Sequence, residues 1–178
     1  MLQYAGQFSS VPARITKKEN LHLTLVFIGD VDNEELVMLV EALPKIGSRH
    51  QPFVFHFNDI AYGPGEKNPR MIWMKGAIEP ALSALREDIQ KVVSSLDLRF
   101  FRPEMRPFNQ HMTLARINGR EWRTRSDKPK VDLSVNIEVP VNSIELMESE
   151  LAKNGPQYTL LLKISLEKSD IEYINKHY

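Results

Sequence analysis

The stretch His111-Met112-Thr113-Leu114 repeats, 89 residues further along (111 − 22), what the chain has already spelled at His22-Leu23-Thr24-Leu25. Each copy lies in an apolar run that reads as a buried strand, Leu21 to Ile28 for the first and Met112 to Ile117 for the second. Side chains alternate faces along an extended chain, so His22 and Thr24 emerge together, as do His111 and Thr113. The leucines point the other way, into a core. Each copy therefore presents an imidazole beside a hydroxyl, and two such presentations suggest one site between them.

That pairing suits phosphate esters. Histidine has an unperturbed pKa of about 6.5, so it gives or takes a proton near neutrality. One neutral and one protonated imidazole can act as base and acid on opposite sides of a phosphorus. A threonine hydroxyl can donate to a non-bridging oxygen and stabilise the charge that builds there. Such chemistry requires neither a metal nor a covalent intermediate. A single His-x-Thr is weak, matching any strand with that cross-face pair; two copies in the same leucine register are specific.

On these motifs the chain resembles the two-histidine (2H) phosphoesterase superfamily, and within it the RNA 2′,3′-cyclic phosphodiesterases historically called 2′-5′ RNA ligases. The resemblance extends through Glu19-Asn20-Leu21, Phe27-Ile28-Gly29, Arg70-Met71-Ile72-Trp73 and Ala115-Arg116. It continues in Leu146-Met147-Glu148-Ser149-Glu150-Leu151 and Gly155-Pro156-Gln157-Tyr158, covering about Lys18 to Leu166. It implies one α+β domain over residues 1–178, made of two pseudo-symmetric lobes of antiparallel sheet flanked by helices. A central cleft would take one His-x-Thr motif from each lobe. Relatives usually open with a strand and a helix before the first motif, and 21 residues leave these shortened or missing. A protected sheet edge is then expected, covered by Met1 to Phe8 or by a second copy, so the chain is a monomer or a homodimer.

Composition narrows the classes. No apolar run approaches the ~20 residues of a membrane span, and the N-terminus lacks the basic start and apolar core of a secretory signal. The absence of cysteine removes disulfides, thiolate nucleophiles and cysteine zinc sites, so the cytoplasm is the expected location. Formal net charge is zero, so affinity for nucleic acid must come from a local patch. From Arg99 to Lys130 nine basic residues face three acidic ones, bracketing the second motif. That run is the expected approach for RNA, although individually its side chains read as a solvated loop.

The remaining segments supply a scaffold. Asp32 to Glu35 reads as an N-cap with its capping-box glutamate, opening a helix that buries Leu36, Leu39, Val40 and Leu43 and stops at Pro44. Phe53 to Ile60 alternates as a strand with its phenylalanines on one face and His56 on the other. Ala61 to Pro69 reads as a loop, and Arg70 to Met74 as a short strand. Pro80 opens a second helix, with Leu82, Leu85, Ile89, Val92 and Leu96 at helical spacing. Residues 118–130 read as a polar loop carrying Trp122. Val135 to Val139, Ser143 to Met147 and Tyr158 to Leu166 read as strands.

The resemblance implies hydrolysis of RNA 2′,3′-cyclic phosphate ends to 2′-phosphates. His111 would be the base that activates water, His22 the acid that protonates the leaving 3′-oxygen, and Thr24 and Thr113 the phosphate-binding residues. From the residues alone the two roles can be exchanged. Arg116 stands at odd spacing from His111, so alternation puts it on the opposite face unless a bulge intervenes. With Arg70 and Trp122, which could stack on a base, it completes the candidate substrate contacts. No cofactor is implied, and no ligand-spaced carboxylate or cysteine accompanies the histidines to suggest a metal. Expected partners are RNA ends or cyclic nucleotides, tRNA fragments among them, and no membrane. Two alternatives remain: a catalytically weak RNA- or nucleotide-binding module of the same fold, and a reversible 2′-5′ RNA ligase acting on tRNA halves.

Overall fold

Alternating apolar residues and two capped helices assemble, in the computed structural model, into antiparallel sheets flanked by helices, an α+β fold. The structure describes residues 8–152 and 155–166. Strand β1 (Ala13–Ile15) and a 3-10 turn (Lys18–Asn20) precede the first motif. Then come α1 (Asn33–Ala42), α2 (Pro44–Gly47), β2 (Phe53–Gly63), β3 (Met71–Gly76), α3 (Pro80–Ser95), β4 (His111–Ile117) and α4 (Gly119–Thr124). Strands β5 (Asp132–Val141), β6 (Ser143–Ala152) and β7 (Gly155–Ser165) follow. The first sheet has the order β1-β4-β3-β2-β5, and β6 and β7 pair as a hairpin.

Two apolar clusters hold these layers. One lies on the five-stranded sheet, where Phe55, Phe57, Ile60, Ile72, Met74, Met112, Leu114 and Ala115 are buried. The other joins Leu39, Leu43 and Ile46 to Leu85, Ile89 and Val93 of α3 and to Ile164 of β7. Both longer helices feed this second cluster, and α3 also places Leu82 in the first. The apolar residues of the first motif strand divide accordingly: Leu21 and Leu23 pack on the first cluster, Val26 and Ile28 on the second, and Leu25 on both.

Several expectations are modified. The segment 21–30 keeps the alternation of half-buried leucines with exposed His22 and Thr24, but it bends at Leu25 and joins no ladder among the described residues. Side-chain bonds hold it instead: Asn20 Nδ2 donates to Pro156 O at 2.9 Å and Arg86 Nε to Leu25 O at 3.2 Å. The first ties the residue before the motif to β7, and the second satisfies the Leu25 carbonyl within it. Asp32 and Glu35 form the reciprocal capping box. Pro44, however, opens α2 instead of ending the helical region, since a proline in a first turn gives up no intrahelical N–H. Val40 is left exposed beside it. Strand β2 runs on to Gly63, where a Cβ would stand 2.1 Å from the Trp73 ring, so only glycine fits there. The 118–130 loop contains a helical turn, because Asn118 Oδ1 accepts from the N–H groups of Arg120 and Glu121.

His56 is exposed on β2, 3.6 Å from Glu138, its cross-strand partner. Of the proposed edge cover, residues 1–7 lie outside the described residues; Phe8 is buried in the first cluster. No described helix is long and apolar enough to cross a membrane.

Candidate active site

A cleft of about 470 Å³ opens between the first motif, strands β1, β3 and β4, and the start of β7. His22, Thr24, His111, Thr113 and Arg116 all line it. Arg70 and Trp122 do not. Arg70 uses its backbone to bond Gly63 O and to accept from Ile117 N. Trp122 is 5% exposed and packs edge-on against Tyr62, 5.3 Å between ring centroids, so the core has claimed the face that base stacking would need.

The two imidazoles are fixed in the same way. His22 Nδ1 lies 2.8 Å from Asn20 O, and His111 Nδ1 lies 2.7 Å from Asn109 O. A carbonyl only accepts, so each Nδ1 carries the hydrogen and each Nε2 is left as the nitrogen that gains or loses a proton. The repeat therefore extends two residues upstream of each histidine, to a carbonyl that sets its tautomer.

Their surroundings differ. His22 is exposed, with Tyr158 edge-on at 4.7 Å. His111 is half-buried and lies on the Trp73 ring, centroids 3.9 Å apart. Burial pushes the His111 imidazole below its ordinary pKa; the bond to Asn109 O opposes this, and the charge of His22 adds to it. The environment thus favours a neutral His111, the state a base requires.

A bulge explains Arg116. Strand β4 pairs with β3 as His111↔Lys75, Met112↔Met74 and Thr113↔Trp73, then shifts register to Ala115↔Ile72 and Arg116↔Met71. One extra residue on β4 reverses the alternation. Leu114 and Ala115 are consecutively buried, and Arg116 comes to the same face as His111 and Thr113. Thr113 Oγ1 and Arg116 Nη1 both lie 3.8 Å from Met71 Sδ, weak contacts that leave these donors available to a stronger acceptor.

The cleft also contains Arg14, Lys17, Asn20, Phe27 and Tyr158. Phe27 is 79% exposed. Asn20, Phe27 and Tyr158 fall within the segments that resemble the family. Arg14 comes from an edge strand too short for periodicity to reveal. Much of the basic run from Arg99 to Lys130 serves elsewhere. Arg99 reaches Asp32, Arg106 pairs with Glu104, Arg125 with Asp127, and Lys130 with Asp132. Of the nine, only Arg116 lines the cleft.

The fold agrees with comparisons to known proteins. The family profile described as LigT like Phosphoesterase matches residues 2–73. An Aeropyrum pernix protein named RNA 2′,3′-cyclic phosphodiesterase is 30% identical over 165 residues, covering 90% of each chain. A Thermus thermophilus protein of the same name is 31% identical over 150 residues, covering 82% of this chain and 72% of its own. The crystal structure of TT0787 from Thermus thermophilus superposes with a TM-score of 0.81 at 28% identity, over 94% of this chain and 90% of that one. Escherichia coli LigT complexed with 3′-AMP shares the fold, with a TM-score of 0.69 at 24% identity over 94% and 88%. The chain belongs to the LigT-like phosphoesterases of the 2H superfamily.

Proposed function

We propose that this chain hydrolyses RNA 2′,3′-cyclic phosphate ends to 2′-phosphates by acid–base catalysis between His111 and His22, with no metal required. The observation that carries the reading is the meeting of both histidines and both threonines in one cleft, each imidazole held in the same tautomer by a carbonyl two residues upstream. Curated relatives covering most of the chain carry the name RNA 2′,3′-cyclic phosphodiesterase, which supports the same activity here.

In this mechanism Nε2 of neutral His111 takes a proton from water as its oxygen attacks the cyclic phosphorus. The bond from phosphorus to O3′ breaks on the opposite side, and His22 Nε2–H protonates O3′, leaving the phosphate on O2′. The hydroxyls of Thr24 and Thr113 donate to the non-bridging oxygens, and Arg116 offsets their charge. The half-buried setting of His111, which favours its neutral form, supports its role as base.

The test is incubation with each 2′,3′-cyclic mononucleotide in excess chelator, with the product phosphate located by 31P NMR. Hydrolysis to the 2′-phosphate is expected. A 3′-phosphate product, or activity that vanishes in chelator and returns with zinc, would replace this mechanism with another.

A further inference from the structure

The cleft holds more positive charge than one cyclic phosphate requires. Arg14, Lys17 and Arg116 line it together, and among the described residues no carboxylate does. Arg14 and Arg116 are direct cross-strand partners on β1 and β4, a like-charge pairing that costs stability on its own. Neither they nor Lys17 enters any ion pair among the described residues. The Arg14 guanidinium lies against the start of β7, where a Cβ on Gly155 would come within 3.0 Å of it. Gly155 has φ +109, a conformation suited to glycine, and it leaves that space to the arginine. The charge is thus built into the rim of the cleft and faces no anion among the described residues.

A 2′,3′-cyclic phosphodiester carries one negative charge. Arg116, on the face shared by His111 and Thr113, answers it. Arg14 and Lys17 remain, and the cleft volume of about 470 Å³ far exceeds that of a single phosphoryl group. One nucleotide further along an RNA 3′ end is the next anion, the phosphodiester on the 5′ side of the terminal nucleoside. We propose that Arg14 and Lys17 form a subsite for that phosphodiester, so that the preferred substrate is an oligonucleotide end rather than a free cyclic nucleotide. The inference rests on the cyclic phosphodiesterase reading above.

The experiment compares kcat/KM at low salt for three substrates: adenosine 2′,3′-cyclic phosphate, its 5′-phosphorylated form, and the dinucleotide ApA ending in a 2′,3′-cyclic phosphate. A charge-assisted contact supports an advantage of about tenfold or more for the latter two, expressed mainly in KM and declining as salt rises. Arg14→Gln and Lys17→Gln should each bring the ratio toward one, and Arg14→Lys should retain part of it. Lys91→Gln, on α3 and outside the cleft lining, should leave the ratio as it is. A wild-type ratio of one, with the plain cyclic nucleotide still hydrolysed, overturns the subsite and spares the parent reading. So does a ratio that survives both glutamine variants in folded protein, as judged by circular dichroism. Failure to hydrolyse any of the three overturns the parent reading itself.

Discussion

Replacing Thr113 by valine separates catalysis from folding at the site. Thr113 sits on β4 opposite Trp73 of β3, and its hydroxyl meets Met71 Sδ at 3.8 Å, a weak contact. Valine keeps the branched shape and the strand preference, so stability should change by no more than about 1 kcal/mol, the scale of one modest hydrogen bond. In the transition state the same hydroxyl would face a phosphoryl oxygen gaining charge, and losing one such donor costs about 10² to 10³ in kcat, or ~2.7–4 kcal/mol. Thr24→Val should behave alike in kcat, although among the described residues its segment joins no ladder. The assay pairs initial rates on a 2′,3′-cyclic nucleotide with a thermal melt of the same preparation. If either variant melts far below the wild type while activity per folded molecule is intact, that threonine is structural and its role here is wrong.

Other outcomes follow from particular contacts. Arg86 bonds both Leu25 O and Glu104 O and covers Phe108, tying the first motif to the approach to the second; Arg86→Met should cost about 1.5–3 kcal/mol in a melt and lower kcat more than it raises KM. Equal kcat in a folded variant would show that the tether is unnecessary. Trp122→Phe should change stability little, because the indole N–H has no hydrogen-bond partner among the described residues. Trp122→Ala should cost ~3–5 kcal/mol, and neither change should alter KM in folded protein. A large rise in KM would return Trp122 to the substrate. The pH profile of kcat/KM should be bell-shaped, its limbs belonging to the coupled pair. Because burial lowers the pKa of His111, its neutral form persists to lower pH than for an ordinary histidine. The acid limb should therefore lie below the usual histidine range; a limb above it would contradict that environment.

The two His-x-Thr pairs that line the cleft are legible because a repeated four-residue pattern survives in sequence whatever sheet surrounds it. Helix α1 was legible through its cap, a local interaction between Asp32 and Glu35. What escaped depended on distant partners. The first motif alternates like a strand, yet the absence of a ladder along it among the described residues depends on where Asn20 and Arg86 find carbonyls. Arg116 has the wrong parity for the site until a bulge corrects it, and that bulge exists only in the register between β3 and β4. Trp122 in a polar stretch looked available; its neighbour Tyr62 lies far earlier in the chain, on β2, and no local pattern links them. The pairing within the basic run was hidden for a related reason, since its acidic partners include Asp32 and Asp132, outside the run.

The division of labour between the histidines is tested most directly with a substrate whose leaving group needs no proton. A 3′-deoxynucleoside 2′-(p-nitrophenyl) phosphate keeps its phosphate on O2′ and puts the aryl oxygen where O3′ would leave; p-nitrophenolate departs without a proton, so a general acid contributes little to its cleavage. His22→Gln should lose activity on the 2′,3′-cyclic nucleotide but recover much of it on the nitrophenyl ester, whereas His111→Gln should be deficient on both. Recovery by His111→Gln and not by His22→Gln would reverse the two roles, and recovery by neither would contradict acid–base catalysis across this cleft.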